Sequence, residues 1–258
     1  LKKKNYLFTD GRYTIQSQIE SGKNFKILSN EKIMNSNLFK NLTLGVDPKL
    51  FTYNQIKRNF KKNCNIKFLD SNLIDEIKTQ NINENSMFYS LGKNIVGEDR
   101  KSKINRISAY IKKNKSDYLF VSAPENVAWI LNIRGNDSPN SPIPNSRLIV
   151  SKSQKIFLIT KNFKAKKLIK DKIINKNQLI EINDFEERLH KLKGSRFIID
   201  DKSCSVYFED IIRSKFKIVK RVDPTYFLKS IKNKTEINNM VNTHILDAAA
   251  LTKFIYWI

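Results

Sequence analysis

Short apolar runs alternate with amphipathic stretches along most of this chain, and the connections between them are only a few residues long. That alternation constrains the fold more than any other feature. Elements of both periods, closely linked, bury their apolar faces together only as a layered α/β fold around a central sheet. In the first third, Tyr6–Thr9, Phe25–Leu28, Leu44–Val46 and Ile66–Leu69 read as strands. Asp47-Pro48 stops the third of these, because proline confines the preceding residue to extended conformations. Thr52 is the expected N-cap of a helix that turns Ile56 and Phe60 to one face, and Ser71–Lys78 a short helix with Leu73, Ile74 and Ile77 inward. From Asp99 the pattern resumes with a helix to Lys113 (Ile104, Ile107 and Ile111 inward), a buried strand Tyr118–Val121 and a helix Glu125–Leu131. Strands at Ser146–Val150 and Lys155–Thr160 flank a hairpin turn. Helices over Lys164–Ile174 and Asp184–Leu192 and a Ser203-capped helix ending near Arg213 alternate with strands at Gln178–Glu181, Phe197–Ile199 and Phe216–Val219.

Two regions break the pattern. Thr79–Gly97 is polar and carries two glycines, which reads as a linker whose Phe88 and Tyr89 dock on a flanking module. Beyond Asp223-Pro224, apolar residues at Ile237, Met240, Val241, Ile245, Ala248, Leu251 and Ile255 keep a helical period to the last residue with no stop signal. Such a helix is expected to cover a core that this chain does not supply. Leu1-Lys2-Lys3-Lys4 leads straight into a strand without a signal-peptide pattern, so the chain is expected to be a fragment that starts inside a domain.

Composition narrows the function classes. Hydrophobic residues make up 40% and charged residues 28%, as in a folded domain, and no apolar run reaches the roughly 20 residues of a membrane span. Two distant cysteines, Cys64 and Cys204, suit a reducing compartment, with the cytoplasm as the default. A net charge of +23 invites a nucleic-acid reading, but the lysines are spread through loops and helices alike and form no stripe. No specific nucleic-acid partner and no membrane partner is therefore expected; affinity for duplex DNA at physiological salt should be weak and independent of sequence in a binding titration.

The residues for chemistry are sparse. His190 and His244 belong to no paired metal-ligand motif, and no cysteine lies near either. There is no nucleophile elbow, and seven glycines form no phosphate loop. Asp200-Asp201 reads as a turn and cap between strand and helix, and Glu186-Glu187 as a solvated face. One segment stands out. Trp129–Asp137 runs into Ser138-Pro139-Asn140-Ser141-Pro142-Ile143-Pro144, whose three prolines stiffen it. Arg134, beside Gly135, either aims its guanidinium at a carboxylate or carbonyl of a ligand, or pairs internally with Asp137 or a helix carboxylate.

The stretch Pro124-Glu125-Asn126-Val127-Ala128-Trp129-Ile130-Leu131-Asn132-Ile133-Arg134-Gly135-Asn136-Asp137 resembles a segment of the Xaa-Pro aminopeptidases (aminopeptidase P) of the creatinase/prolidase superfamily. The likeness extends, in that family's order, to Thr9–Tyr13, Gly45–Pro48, Asp70–Asp75, Leu228–Ile237 and Thr243–Leu251. The resemblance implies an α/β fold of two creatinase N-terminal-like domains, each a mixed central sheet flanked by helices, then the first helix of a missing pita-bread domain. On that layout residues 1–85 are a first, N-terminally incomplete domain, 86–97 a linker, 98–222 the second domain and 223–258 the start of the metallopeptidase domain. The family binds two divalent metal ions, usually manganese, through Asp, His and Glu ligands. None of these maps onto this chain, so neither catalytic nor metal-binding residues are expected here, and His244 reads as structural. The implied parent is a homodimeric aminopeptidase acting on peptides with proline at position two, with Arg134 near the substrate path. The alternative is a non-catalytic creatinase-like module that binds peptide or protein.

Overall fold

The computed structural model describes residues 5–35, 37–60, 64–77 and 86–258. The chain falls into two compact units, Leu1–Thr79 and Gln80–Ile258.

In the first unit, β1 (Asn5–Thr9) is followed by α1 (Thr14–Ser21) and by β2 (Phe25–Ser29), which pairs parallel to β1 with Leu7 opposite Ile27. After α2 (Glu31–Asn35) the arrangement recurs. β3 (Leu42–Val46), α3 (Tyr53–Asn59) and β4 (Cys64–Phe68) form a second parallel pair with Leu44 opposite Ile66. Thr52 caps α3 as its sequence predicts: its hydroxyl accepts the Gln55 N–H at 3.1 Å, and the Gln55 side-chain oxygen accepts the Thr52 N–H at 2.8 Å. The last helix, α4 (Leu73–Ile77), differs from expectation. Its apolar residues do not turn inward: Leu73, Ile74 and Ile77 are 64%, 63% and 78% exposed. Five residues make little more than one turn, and no described element lies over them. Leu73 and Ile74 instead line an apolar groove of about 460 Å³ with Phe8, Phe39 and Leu50.

The second unit begins with β5 (Tyr89–Ser90), α5 (Lys93–Val96), α6 (Arg100–Lys113), β6 (Tyr118–Val121), α7 (Pro124–Leu131) and β7 (Ile133–Arg134). It continues through β8 (Arg147–Ser151), β9 (Ile156–Ile159), α8 (Asn162–Lys170), β10 (Leu179–Ile180), α9 (Phe185–His190) and β11 (Arg196–Ile199). α10 (Val206–Arg213), β12 (Lys217–Lys220), α11 (Pro224–Ser230) and α12 (Lys234–Trp257) complete it. Six strands form one mixed sheet in the order β10-β9-β8-β6-β11-β12, in which only β8 runs against its neighbours. The period of two in β6 divides the core between the sheet's faces. Leu119 and Val121 pack with Ile104, Ile107 and Ile111 of α6, with α7 and with Leu168 of α8. Tyr118 and Phe120 pack with Phe185 of α9 and with Phe208 and Ile212 of α10. Helices on both faces of a mixed sheet are the architecture the alternating pattern predicts.

Two details of this unit depart from the sequence reading. Of the expected linker Thr79–Gly97, 79–85 lies outside the described residues, as does Lys78 at the end of the expected helix before it, while 86–97 is built into the second unit. Phe88 is fully buried, its N–H donates to the Lys164 carbonyl at 2.8 Å, and β5 pairs antiparallel with β7. Phe88 and Tyr89 thus dock on a flanking module as expected; what polar composition hides is the two-residue strand, which leaves no periodic signal. Ser203 is not the cap of α10; that position is Ser205, while the Ser203 hydroxyl meets the Ser122 hydroxyl at 2.6 Å. The expected Asp200 turn is present, with its carboxylate accepting the Lys202 N–H at 3.0 Å.

Candidate functional site

The residues of the 124–137 segment each secure a different element. Pro124 opens α7, and the helix ends on Asn132, which takes the left-handed conformation (φ 54°, ψ 40°) that asparagine tolerates better than most residues. The Asn132 amide then bridges two neighbours, donating to the Glu98 carbonyl at 2.9 Å and accepting from Lys103 Nζ at 2.7 Å. Lys103 also donates to the Trp129 carbonyl at 3.0 Å and stands 4.2 Å from the centre of the Trp129 ring. It is 1% exposed and bonds carbonyl oxygens and a π-face rather than a carboxylate. Burial therefore pulls its ammonium down to about 8.

A consequence for stability follows. An unfolded lysine holds its proton to about pH 10.4, so between pH 8 and that value the unfolded chain binds more protons than the folded one. Stability contributed by this group therefore rises with pH across the window. Lys103→Met should remove the rise, measured as the difference in urea midpoint between variant and wild type from pH 7 to pH 10. A constant difference would show that Lys103 does not titrate there.

Gly135 is required by space. A Cβ on it would lie 2.9 Å from both the Phe88 ring and the Pro144 Cα. Asp137 pairs with Lys164, both side chains being nearly buried, and accepts the Asn145 N–H at 2.6 Å, which fixes the proline-rich loop at both ends. Asn126, fully buried, donates to Asp223 Oδ2 at 2.8 Å and accepts from Lys229 Nζ at 2.7 Å, binding α7 to α11. Asp223 in turn receives the Thr225 N–H and donates its own N–H to Asp200 Oδ2 at 2.9 Å. Burial holds the Asp223 carboxyl above the usual carboxylate range.

Among the described residues, Arg134 pairs with neither Asp137 nor a helix carboxylate. Its Nη1 donates to the Ile133 carbonyl at 2.9 Å and, at 3.4 Å, to that of Ala128, and the side chain is half-buried. It lines a groove of about 420 Å³ together with Leu91, Ile95 and Val96 on one side and Lys232, Glu236, Met240 and His244 on the other. The second wall is the start of α12, and three contacts set its position. Asn233 caps α12 and donates to the Val96 carbonyl at 2.9 Å. Asn239 donates to the Ile95 carbonyl at 2.9 Å. Gly97, at φ +75°, lets Asn233 approach so closely that a Cβ would fall 2.2 Å from its oxygen. His244, read from sequence as structural, is thus an exposed residue of the groove that Arg134 lines. Past the groove α12 is uncovered, with Leu246 73% and Trp257 79% exposed.

Sequence reading singled out Arg134 but missed Lys103, Asn126 and Lys164, whose partners lie tens of residues away. Asn132 did carry a local signal, an asparagine closing a helical run just before Arg-Gly. Among the described residues, no three His, Cys, Asp or Glu side chains converge as a metal site, and no helix is long and apolar enough to cross a membrane. Both cysteines are free, and burial pushes the Cys204 thiol far up, which makes it a poor nucleophile.

Comparison with known proteins places these features. The family model described as Creatinase/Prolidase N-terminal domain matches residues 79–236. Xaa-Pro aminopeptidase 1 of Dictyostelium discoideum is 30% identical over 276 residues, covering 98% of this chain and 43% of that protein. Xaa-Pro aminopeptidase ApepP of Drosophila melanogaster is 27% identical, covering 98% of this chain and 44% of that protein. The chain thus spans less than half the length of these relatives. Among solved structures, the X-prolyl aminopeptidase of Caenorhabditis elegans, described as a cytosolic enzyme with a di-nuclear active site, shares the fold. Its TM-score is 0.79 at 21% identity, over 99% of this chain and 45% of that one. With the mixed sheet, its two helical layers and the 124–137 segment all inside or overlapping the matched region, the chain belongs to the creatinase/prolidase N-terminal domain family.

Proposed function

We propose that this chain is the N-terminal, non-catalytic portion of a two-metal Xaa-Pro aminopeptidase that removes the first residue from peptides with proline second. One observation carries the reading: near-complete alignment of this chain with proteins named for that activity, over only 43% of their length. Among the described residues, the donor chemistry does not fit the two divalent metals, manganese in the usual case. His190 meets the Ser214 hydroxyl on the surface, His244 lies in the Arg134 groove, and the buried carboxylates Asp200 and Asp223 are taken up by backbone N–H groups and Asn126. No step of the reaction is assigned to these residues. The parent protein would act in the cytoplasm as a homodimer on peptide substrates, and this part would shape access to a cleft formed elsewhere.

The 258-residue chain supplied with manganese is expected to release no residue from Xaa-Pro peptides, whereas the longer protein should. Cleavage by the chain alone overturns the division of labour. In the longer protein, Arg134→Ala should raise KM about tenfold, the loss of a contact of about 1.4 kcal/mol, or alter length selectivity. Unchanged kinetics would leave Arg134 only its bonds to the Ala128 and Ile133 carbonyls. The groove lined by Arg134 also favours a second reading, a catalytically silent module that binds peptide. An Asp, Asp, His, Glu, Glu ligand series in the longer protein would decide for the enzyme.

A further inference from the structure

We propose that the groove between Arg134 and the first half of α12 is a binding site for a carboxylate carried on an apolar body, such as the C-terminal end of a short peptide. The inference extends the placement of Arg134 near a substrate path, but it concerns binding to this chain alone. Arg134 is half-buried and, among the described residues, has no carboxylate partner. Its two hydrogen bonds both use Nη1, so Nε and Nη2 keep donors in the planar arrangement that matches a carboxylate.

Charge across the groove favours an anion. Lys232 adds a second cation, its Nζ held against the Lys229 carbonyl. The single acid, Glu236, is committed by one oxygen to the Asn233 N–H at 2.9 Å in the cap of α12. The rest of the lining combines alkyl groups, from Leu91, Ile95, Val96 and Met240, with the polar Asn239, Thr243 and His244; the alkyl part suits an aliphatic side chain beside the carboxylate. A volume of about 420 Å³ accommodates one or two residues.

The test titrates the 258-residue chain by calorimetry with N-acetyl-leucine and with its amide. The carboxylate should bind about tenfold tighter than the amide, the size of one charge-assisted contact of about 1.4 kcal/mol. Arg134→Gln should erase that preference, and Arg134→Lys should retain part of it. Arg134→Gln also loses the bonds to the Ala128 and Ile133 carbonyls, so Met240→Asp serves as a second probe. It sets a carboxylate into the groove from the exposed face of α12 and should abolish the preference without touching Arg134. Lys166→Gln, on the exposed side of α8, should change nothing, which separates the site from the general attraction of a +23 chain. Equal binding of acid and amide, or a preference that survives both groove substitutions, overturns the proposal. So does an equal loss in Lys166→Gln. None of these readouts depends on peptidase activity, so failure here leaves the aminopeptidase reading standing, and the reverse holds too.

Discussion

Phe88→Ala is expected to lower the stability of the second unit by about 3–5 kcal/mol, the range for removing a fully buried aromatic ring. The ring is 0% exposed and joins the cluster formed by α6, α7 and the sheet, and its residue ties β5 to the Lys164 carbonyl. Urea denaturation of the 258-residue chain measures the loss. A cost under about 1 kcal/mol, typical of surface changes, would mean that residues 86–97 are only loosely attached. Gly135 supplies an independent check. Gly135→Ala forces a methyl against the Phe88 ring and the Pro144 backbone and should cost about 1–3 kcal/mol by overpacking. Combined with Phe88→Ala it should cost less than the sum, because the ring it strikes is gone and only the Pro144 contact remains. Strict additivity would separate the two residues.

The contrast between Phe88 and its surroundings shows where sequence reading succeeds and where it stops. Tyr118–Val121 could be read to the residue, because four consecutive apolar positions between polar neighbours admit only a buried strand, and α6 because Asp99 caps a clean helical period. These signals are local. In residues 86–97 the docking of Phe88 and Tyr89 was legible but not its place, because the anchoring partners, Arg134, Gly135 and Lys164, lie more than forty positions away. Ser203 was read as the cap of α10, and only the path of the chain out of the Asp200 turn moves that position to Ser205. Arg134 was legible as a residue of interest, but its partners were not. Its alternatives were a carboxylate or a carbonyl, and the nearby Asp137 turned out to be occupied by Lys164 from a distant helix. The groove itself needed α12 to be placed against α5, which depends on Asn233, Asn239 and Gly97 together.

Asn126→Ala should be the most costly polar substitution in the 124–137 segment, at about 2–4 kcal/mol. The side chain is fully buried and serves two partners at once, so its loss strands both an Asp223 oxygen and the Lys229 ammonium. A hydrophobic residue of similar size cannot replace it for the same reason. The pH dependence identifies which orphan dominates. Burial already holds the Asp223 carboxyl above its ordinary range, and the Asn126 hydrogen bond acts in the opposite sense by favouring the ionised form. Without Asn126 the folded pKa must rise further. A carboxyl with a raised folded pKa binds its proton more readily in the native state than in the unfolded chain. It therefore costs stability above that pKa, and the cost shrinks as the pH falls toward the unfolded value of about 3.9. The difference between Asn126→Ala and wild type, measured by urea denaturation, should thus be larger at pH 7 than at pH 4.5. A difference independent of pH would assign the loss to Lys229 and to packing, and would remove Asp223 from the account of how α7 and α11 are joined.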